Sequence, residues 1–253
     1  MRQLEGKTAL VTGGSRGLGL DIVRALAGEG ATVSALARNA ERLEQLKHEV
    51  RGIQIRVADV ADAKTAAVAL RDTRPDILIL NAGATPTMAP VHQQSWEQFS
   101  RTWNTDVHMT FAFGQEALTL PLAPGSVVVI VASGAAIGGS GSPLSGGYAG
   151  AKRMQWLLAQ YLQGEANALN RNIRFVALLP RQIMGTTDLG HAAAAAYAAH
   201  QGISEQAFLD RFGPPLTPED VGRAVVALIT DPAYYSGTAF GISGRGLAAL
   251  ENM

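Results

Sequence analysis

Short runs of apolar residues alternate with stretches whose apolar positions recur every three to four residues, almost to the end of the chain. The runs are Thr8–Thr12, Thr32–Leu36, Gln54–Ala58, Ile77–Leu80, Val127–Ala132, Arg174–Leu179 and Thr238–Ile242. Most are continuously apolar, the pattern of strands covered on both faces of a parallel sheet. The periodic stretches, Leu18–Gly28, Ala40–Val50, Ala63–Arg71, Ser95–Leu118, Tyr148–Leu169 and Pro218–Ile229, predict the helices between them. Such alternation predicts right-handed crossovers and a single-domain α/β fold, a doubly wound parallel sheet of about seven strands with helices on both faces. One feature interrupts the alternation: the alanine-rich piece His191–His200, with Gly185, Gly190 and Gly202 around it. It reads as a helical excursion around residues 182–212 of one domain spanning 1–253. Because it follows a strand end, it is either a surface helix or a lid over a site.

Composition narrows the classes. With 253 residues, 47% hydrophobic and 17% charged, the chain can bury a substantial core and is not disordered. Twenty-one basic against 21 acidic residues leave no electrostatic footprint for nucleic acid or an anionic membrane surface. The absence of cysteine removes disulfides, thiolate metal sites and cysteine nucleophiles, and is compatible with a reducing cytosol. The N-terminus lacks the apolar stretch of a signal peptide, and no run approaches the roughly 18 apolar residues of a spanning helix. A soluble, cytoplasmic protein without a nucleic-acid or membrane partner is expected. Only Lys7, Lys47, Lys64 and Lys152 are lysines, so a role that needs one has few candidates.

The first strand runs into Thr12-Gly13-Gly14-Ser15-Arg16-Gly17-Leu18-Gly19 and then a helix. Glycines at such a turn let the backbone approach a pyrophosphate, whose charge lies among the free N–H groups of a helix N-terminus. The spacing is G-x-x-x-G-x-G, and the strand–turn–helix context favours a dinucleotide. No acid stands between Gly30 and Glu41 to accept the adenosine ribose hydroxyls. Arg38 ends the second strand and Arg16 sits in the glycine turn; two guanidinium groups suit a 2′-phosphate and favour NADP(H) over NAD(H). Asp59 and Val60 close the third strand, Asp59 serving either the adenine amino group or a helix cap. Asn81-Ala82-Gly83 closes the fourth, as a small-residue passage under a ribose or as a turn.

Ser133 lies just beyond the fifth strand, on the side where sites of such sheets open. A Gly/Ser/Pro-rich loop then leads to Tyr148-Ala149-Gly150-Ala151-Lys152. Tyrosine and lysine four apart share a helix face, and an ammonium beside a phenol favours the phenolate, which suits acid/base work. Small residues around the pair leave room for a cofactor.

Taken in order, Thr12-Gly13-x-x-x-Gly17-x-Gly19, Asn81-Ala82-Gly83 and Ser133 with Tyr148-x-x-x-Lys152 resemble the signature of the short-chain dehydrogenase/reductase family over nearly the whole chain. The resemblance implies a Rossmann-like subunit, a nicotinamide cofactor and a homodimer or homotetramer. It implies Tyr148 as general acid/base and Ser133 as the group steadying the substrate oxygen. Lys152 then tunes Tyr148 and holds the nicotinamide ribose, while Pro180 and Ile183 border the nicotinamide. Three departures stand out. Asp106 occupies the position of the family's catalytic Asn, whose main-chain carbonyl holds a water that connects to the lysine. The Ser133-to-Tyr148 interval is about two residues long. Pro180 is followed by Arg181 instead of Gly, which puts a cation where the nicotinamide end is expected. An NADP(H)-dependent carbonyl/alcohol oxidoreductase acting on a small molecule is the function implied, with a non-catalytic NADP-binding protein as the alternative. The pocket wall, Ala135–Ser145 and Gln182–Phe212, is small and apolar with scattered hydroxyls.

Overall fold

The computed structural model describes residues 2–120, 122–138 and 143–251. Its strands are β1 (Thr8–Thr12), β2 (Thr32–Ala37), β3 (Gln54–Val57), β4 (Ile77–Leu80), β5 (Ser126–Val131), β6 (Ile173–Pro180), β7 (Ala239–Ser243) and β8 (Gly246–Ala249). The helices are α1 (Gly17–Gly28), α2 (Ala40–Glu49), α3 (Thr65–Thr73), α4 (Trp96–Thr102), α5 (His108–Thr119), α6 (Gly146–Ala168), α7 (Asp188–Gln201), α8 (Glu205–Leu209) and α9 (Pro218–Thr230). All strands lie in one sheet of order β3-β2-β1-β4-β5-β6-β7-β8, parallel except for the antiparallel β7–β8 pair. The chain winds outward from β1 to β3, then returns to the middle at β4. That reversal opens a crevice beyond the C-terminal ends of β1 and β4, where ligands bind in sheets of this class.

Alternate strand residues face opposite layers. Ala9, Val11, Ile77 and Ile79 pack with Ile22 and Leu26 of α1, Leu43 and Leu46 of α2 and Val221 and Val225 of α9. Leu10, Leu78 and Leu80 pack with Leu70 of α3, Met109 and Phe113 of α5 and Trp156 and Leu162 of α6. Both faces are thus covered, which is why the strands are continuously apolar. No helix among the described residues is long and apolar enough to cross a membrane.

Two differences from the sequence expectation matter. An eighth strand folds back on β7 through Gly244 and Arg245, with Gly246 at φ +105. The single helix expected over Ser95–Leu118 is interrupted: a π-turn, Trp103–Val107, joins α4 to α5. The start of that helix is fixed by a capping box, Ser95 with Gln98.

Candidate active site

The glycine turn is built by backbone geometry. Gly13 and Gly17 have φ +69 and +52, in the region that other residues rarely adopt. The Gly13 amide donates to Leu36 O at 2.7 Å, anchoring the turn to β2. A Cβ on Gly19 would lie 2.1 Å from Gly13 O, so only glycine fits where α1 meets the turn. Thr12 Oγ1 accepts from the amides of Asn81 (2.9 Å) and Ala82 (3.1 Å), and Asn81 Nδ2 donates to Thr12 O (3.2 Å). Asn81 therefore joins the ends of β1 and β4 across the crevice. Arg16 is the N-cap of α1, yet its side chain makes no capping bond, which leaves the first-turn amides of Gly17, Leu18 and Gly19 without a side-chain acceptor. Amides so directed form a cradle for a pyrophosphate.

The two arginines do not converge. Arg16 Nη1 bonds Asp188 Oδ2 at 2.7 Å, and Arg38 Nη1 lies 3.5 Å from Asp59 Oδ2. Asp59 also accepts from the Ala61 amide at 2.9 Å within its own loop and does not cap α3, which starts after Lys64, while Val60 is buried in the core. Arg16 instead shares a cleft of about 190 Å³ with Ser15 and Arg42. Arg42 was missing from the sequence reading, although its position one helical turn beyond Arg38 was the available signal.

Tyr148 and Lys152 meet near the start of α6. Gly147 lets α6 touch α4: a Cβ there would be 2.3 Å from Phe99 O. Gly147 O accepts from Trp103 Nε1 at 3.0 Å and Thr102 Oγ1 at 3.3 Å, seating the helix on the π-turn. One turn later Lys152 Nζ stands 5.6 Å from the centre of the Tyr148 ring. Ser133 caps the short turn Gly134–Ala136, its Oγ accepting from the Ala135 amide at 3.2 Å.

Lys152 is buried, and its nitrogen donates to Gln155 Oε1 (2.8 Å) and Val131 O (3.3 Å). Asp106 Oδ2 lies 3.0 Å away as an ion pair, a distance that places the ammonium directly against the carboxylate. Burial disfavours the ammonium, but the charges of Asp106 and Tyr148 outweigh it and raise the Lys152 pKa. Asp106 Oδ1 accepts from the Ala84 amide at 2.8 Å, and a Cβ on Gly83 would meet Oδ2 at 2.7 Å. The main-chain carbonyl of Asp106 accepts from Thr110 Oγ1 (2.9 Å) and Gln155 Nε2 (3.2 Å). The carbonyl that the resemblance assigns to a water thus accepts from two side chains of this chain. Asn104, two residues away, points to Ser100 instead.

A family model described as "short chain dehydrogenase" matches residues 7–197. The chain belongs to the short-chain dehydrogenase family. It is 30% identical over 244 residues to a D-threitol dehydrogenase of Mycolicibacterium smegmatis (strain ATCC 700084 / mc(2)155), covering 91% of this chain and 88% of that protein. A solved structure titled "short chain dehydrogenase/reductase family protein" superposes with a TM-score of 0.74 at 26% identity, covering 96% and 97% of the two chains. An NAD+-bound xylitol dehydrogenase superposes with a TM-score of 0.82 at 23% identity, covering 96% and 99%, a likeness of fold.

In this short-chain dehydrogenase the alanine-rich excursion forms α7 and α8 around a small core of Ala194, Ala198 and Phe208, with Ile183, Tyr197 and Leu209 against it. Tyr197 OH and Ser145 Oγ are 2.8 Å apart, and the ring stacks on Phe208 at 5.7 Å. Burial raises the Tyr197 pKa against the opposing bond to Ser145. With Asp188 on Arg16 at one end and Tyr197 on Ser145 further along, α7 bridges the glycine turn and the start of α6. Pro180 ends β6, but Arg181 is exposed and its stem lies over Gly241 of β7, on the side of β6 away from β5. The expected cation at the nicotinamide end is therefore directed elsewhere. Residues 139–142 of the expected pocket wall lie outside the described residues.

Gln155 and Thr110 were also missed by sequence reasoning. The signal for Gln155 was a glutamine three residues after Lys152 on an otherwise apolar helix face.

Proposed function

We propose that this short-chain dehydrogenase interconverts a small carbonyl compound and its alcohol with NADP(H), with Tyr148 moving the proton. The carrying observation is the placement of Tyr148 one helical turn from the buried Lys152 ammonium, whose nitrogen reaches Val131 O at the end of the strand that leads to Ser133. The cofactor, when bound, supplies or accepts the hydride. Gly13 to Gly19 present backbone and α1 amides to its pyrophosphate. Arg16 and Arg42, sharing one cleft with Ser15, support the 2′-phosphate preference, together with the acid-free end of β2. Asn81 to Gly83, Asp59 and Val60 border the adenosine half, and Pro180 and Ile183 the nicotinamide half.

Ser133 Oγ and Tyr148 Oη converge on the substrate oxygen in this reading. Reduction draws a proton from Tyr148 Oη onto that oxygen, and oxidation returns it. Lys152 acts through its positive charge, which stabilises the phenolate that forms. α7 excludes water from the reacting groups when it closes on the crevice. The pocket wall supports a modest, largely apolar substrate with a hydroxyl or two, for which Tyr197 and Ser145 offer partners.

A panel of carbonyl and alcohol compounds with NADPH, NADP+, NADH and NAD+, followed by nicotinamide absorbance, tests the proposal. Turnover of at least one pair with the phosphorylated cofactor is expected. Tight NADPH binding with no turnover on any compound would transfer support to the non-catalytic alternative.

A further inference from the structure

Asp106 is a buried acid that the scheme above leaves without a task. Only 1% of its side chain and 7% of that of Lys152 reach solvent, so water screens the pair little. At 3.0 Å the carboxylate offsets part of the field that the ammonium exerts on its neighbours. Tyr148 is that neighbour, with its ring centre 5.6 Å from Lys152 Nζ. An unopposed ammonium at this range favours the phenolate; a carboxylate bound to the same ammonium offsets much of that pull.

Other charged groups lie around α6; on α6 itself, Arg153 directs Nη1 to Ala136 O at 3.1 Å. Of the elements packed on α6, β5 and the Gly134–Ala136 turn contain no ionisable side chain. α4 carries Glu97 and Arg101, α5 carries His108 and Glu116, and β6 carries Arg174, whose guanidinium bonds Leu228 O and Tyr234 O instead. From α7, Tyr197 adds a second phenol near Tyr148.

Gln155 fixes the arrangement. Its Nε2 donates to Thr110 Oγ1 at 2.7 Å and to Asp106 O at 3.2 Å, which orients its Oε1 toward Lys152 Nζ at 2.8 Å. The residue is fully buried and one turn of α6 from the ion pair, so Lys152 is held against Asp106 from two sides.

We propose that Asp106, locked in place through Gln155, is a positioning residue that poises this site for carbonyl reduction at neutral pH. It keeps the buried lysine charged and at the same time offsets that charge at Tyr148, so the phenol retains the proton it donates. In the reduction the carbonyl carbon accepts a hydride from the reduced nicotinamide, and the carbonyl oxygen takes the Tyr148 proton. The resulting phenolate recovers a proton from water. Oxidation needs the phenolate first and is displaced to higher pH; the overall equilibrium is untouched. The proposal rests on the reading of Tyr148 as the acid/base.

The test is the pH dependence of kcat/KM for oxidation of one accepted alcohol by wild type and Asp106→Asn. The acid limb of the variant is expected about one pH unit lower, from loss of the opposing charge. An unmoved or raised limb overturns the proposal. A second readout needs no turnover: the tyrosinate absorbance that Tyr148→Phe removes should develop at lower pH in the Asp106→Asn background than in wild type. Absence of that displacement also overturns it. Lack of activity on every substrate would defeat the oxidoreductase reading while this titration still decides the electrostatic one. If Asp106→Asn does not fold, the smaller Asp106→Ser removes the same charge and should lower the limb likewise; a stationary or raised limb in the folded variant overturns the proposal.

Discussion

Arg16 in the glycine turn and Asp188 at the start of α7 form an ion pair at 2.7 Å although 172 residues separate them. If Arg16 holds the 2′-phosphate, the phosphate and Asp188 compete for one guanidinium. Asp188→Asn is therefore expected to tighten NADPH binding a few-fold and leave NADH binding unchanged. The gain is modest because both partners are exposed, and such pairs contribute about 0–1 kcal/mol. Fluorescence titration of both cofactors at fixed salt measures it, and equal effects on NADPH and NADH would count against the assignment of Arg16.

Arg16→Ala and Arg42→Ala should each weaken NADPH by about tenfold or more, since a hydrogen bond to a charged group contributes about 1.5–3 kcal/mol. Arg38→Ala should do less, because Arg38 does not line the cleft that Ser15, Arg16 and Arg42 share. Parallel Kd measurements rank the three. A dominant loss in Arg38→Ala would shift the phosphate site from the Arg16–Arg42 cleft to the end of β2.

Tyr148→Phe is expected to lower kcat by about 10² to 10⁴-fold while the NADPH Kd stays within roughly twofold. The substitution removes the proton donor and keeps the ring beside Lys152. Steady-state rates paired with a binding titration separate these effects, and near-normal turnover would assign the proton to another group.

Gly147→Ala should cost about 1–3 kcal/mol, because the new methyl would meet Phe99 O, a backbone atom that cannot swing aside. The melting temperature should fall by several degrees for a chain of this size. A melting temperature equal to wild type would mean that α4 and α6 separate more easily than their contact suggests.

Asp76 links β1 to β4. Burial alone would raise its carboxyl, but the Thr8 amide and hydroxyl and the Lys7 ammonium outweigh this and hold the pKa below the ordinary value. A depressed carboxyl stabilises the fold above its unfolded pKa, and that stabilisation is lost as pH falls through the lower, folded one. Asp220, bonded by the Thr217 hydroxyl and amide against some burial, is depressed in the same sense and adds to the effect. Asp76→Asn should be less stable at neutral pH, with stability that declines less on acidification below about pH 4. Denaturant unfolding at several pH values checks this; parallel curves for wild type and variant would remove Asp76 from the acid response.

The bounds of β1 and β4 coincide with the apolar runs read from the sequence, because a strand buried on both faces must be apolar throughout. β8 escaped because Gly246-Leu247-Ala248-Ala249 has neither alternation nor β-branched or aromatic residues, although Ser243-Gly244-Arg245-Gly246 carries a hairpin turn signal. The π-turn escaped because an extra residue in a helical turn leaves the apolar period nearly intact. Ser133, Tyr148 and Lys152 were legible as chemistry at fixed spacing. Gln155 and Arg42 were not, since each gains meaning only from residues that the fold brings beside it. Arg181 misled for the converse reason: its position in the chain was right, but the direction of its side chain is set by Gly241 of the neighbouring strand.

The cluster beneath α7 and α8 stands apart from the two layers that sandwich the sheet. Substitutions at Ile183, Tyr197 and Leu209 therefore fall on a module whose packing the sheet does not depend on. The start of α6, with Gly147 on the Phe99 backbone and Gly150 against Trp103, has no such freedom. Side-chain change in the α7–α8 satellite should therefore disturb the two layers around the sheet least, which makes it the part of the chain with the most room to vary.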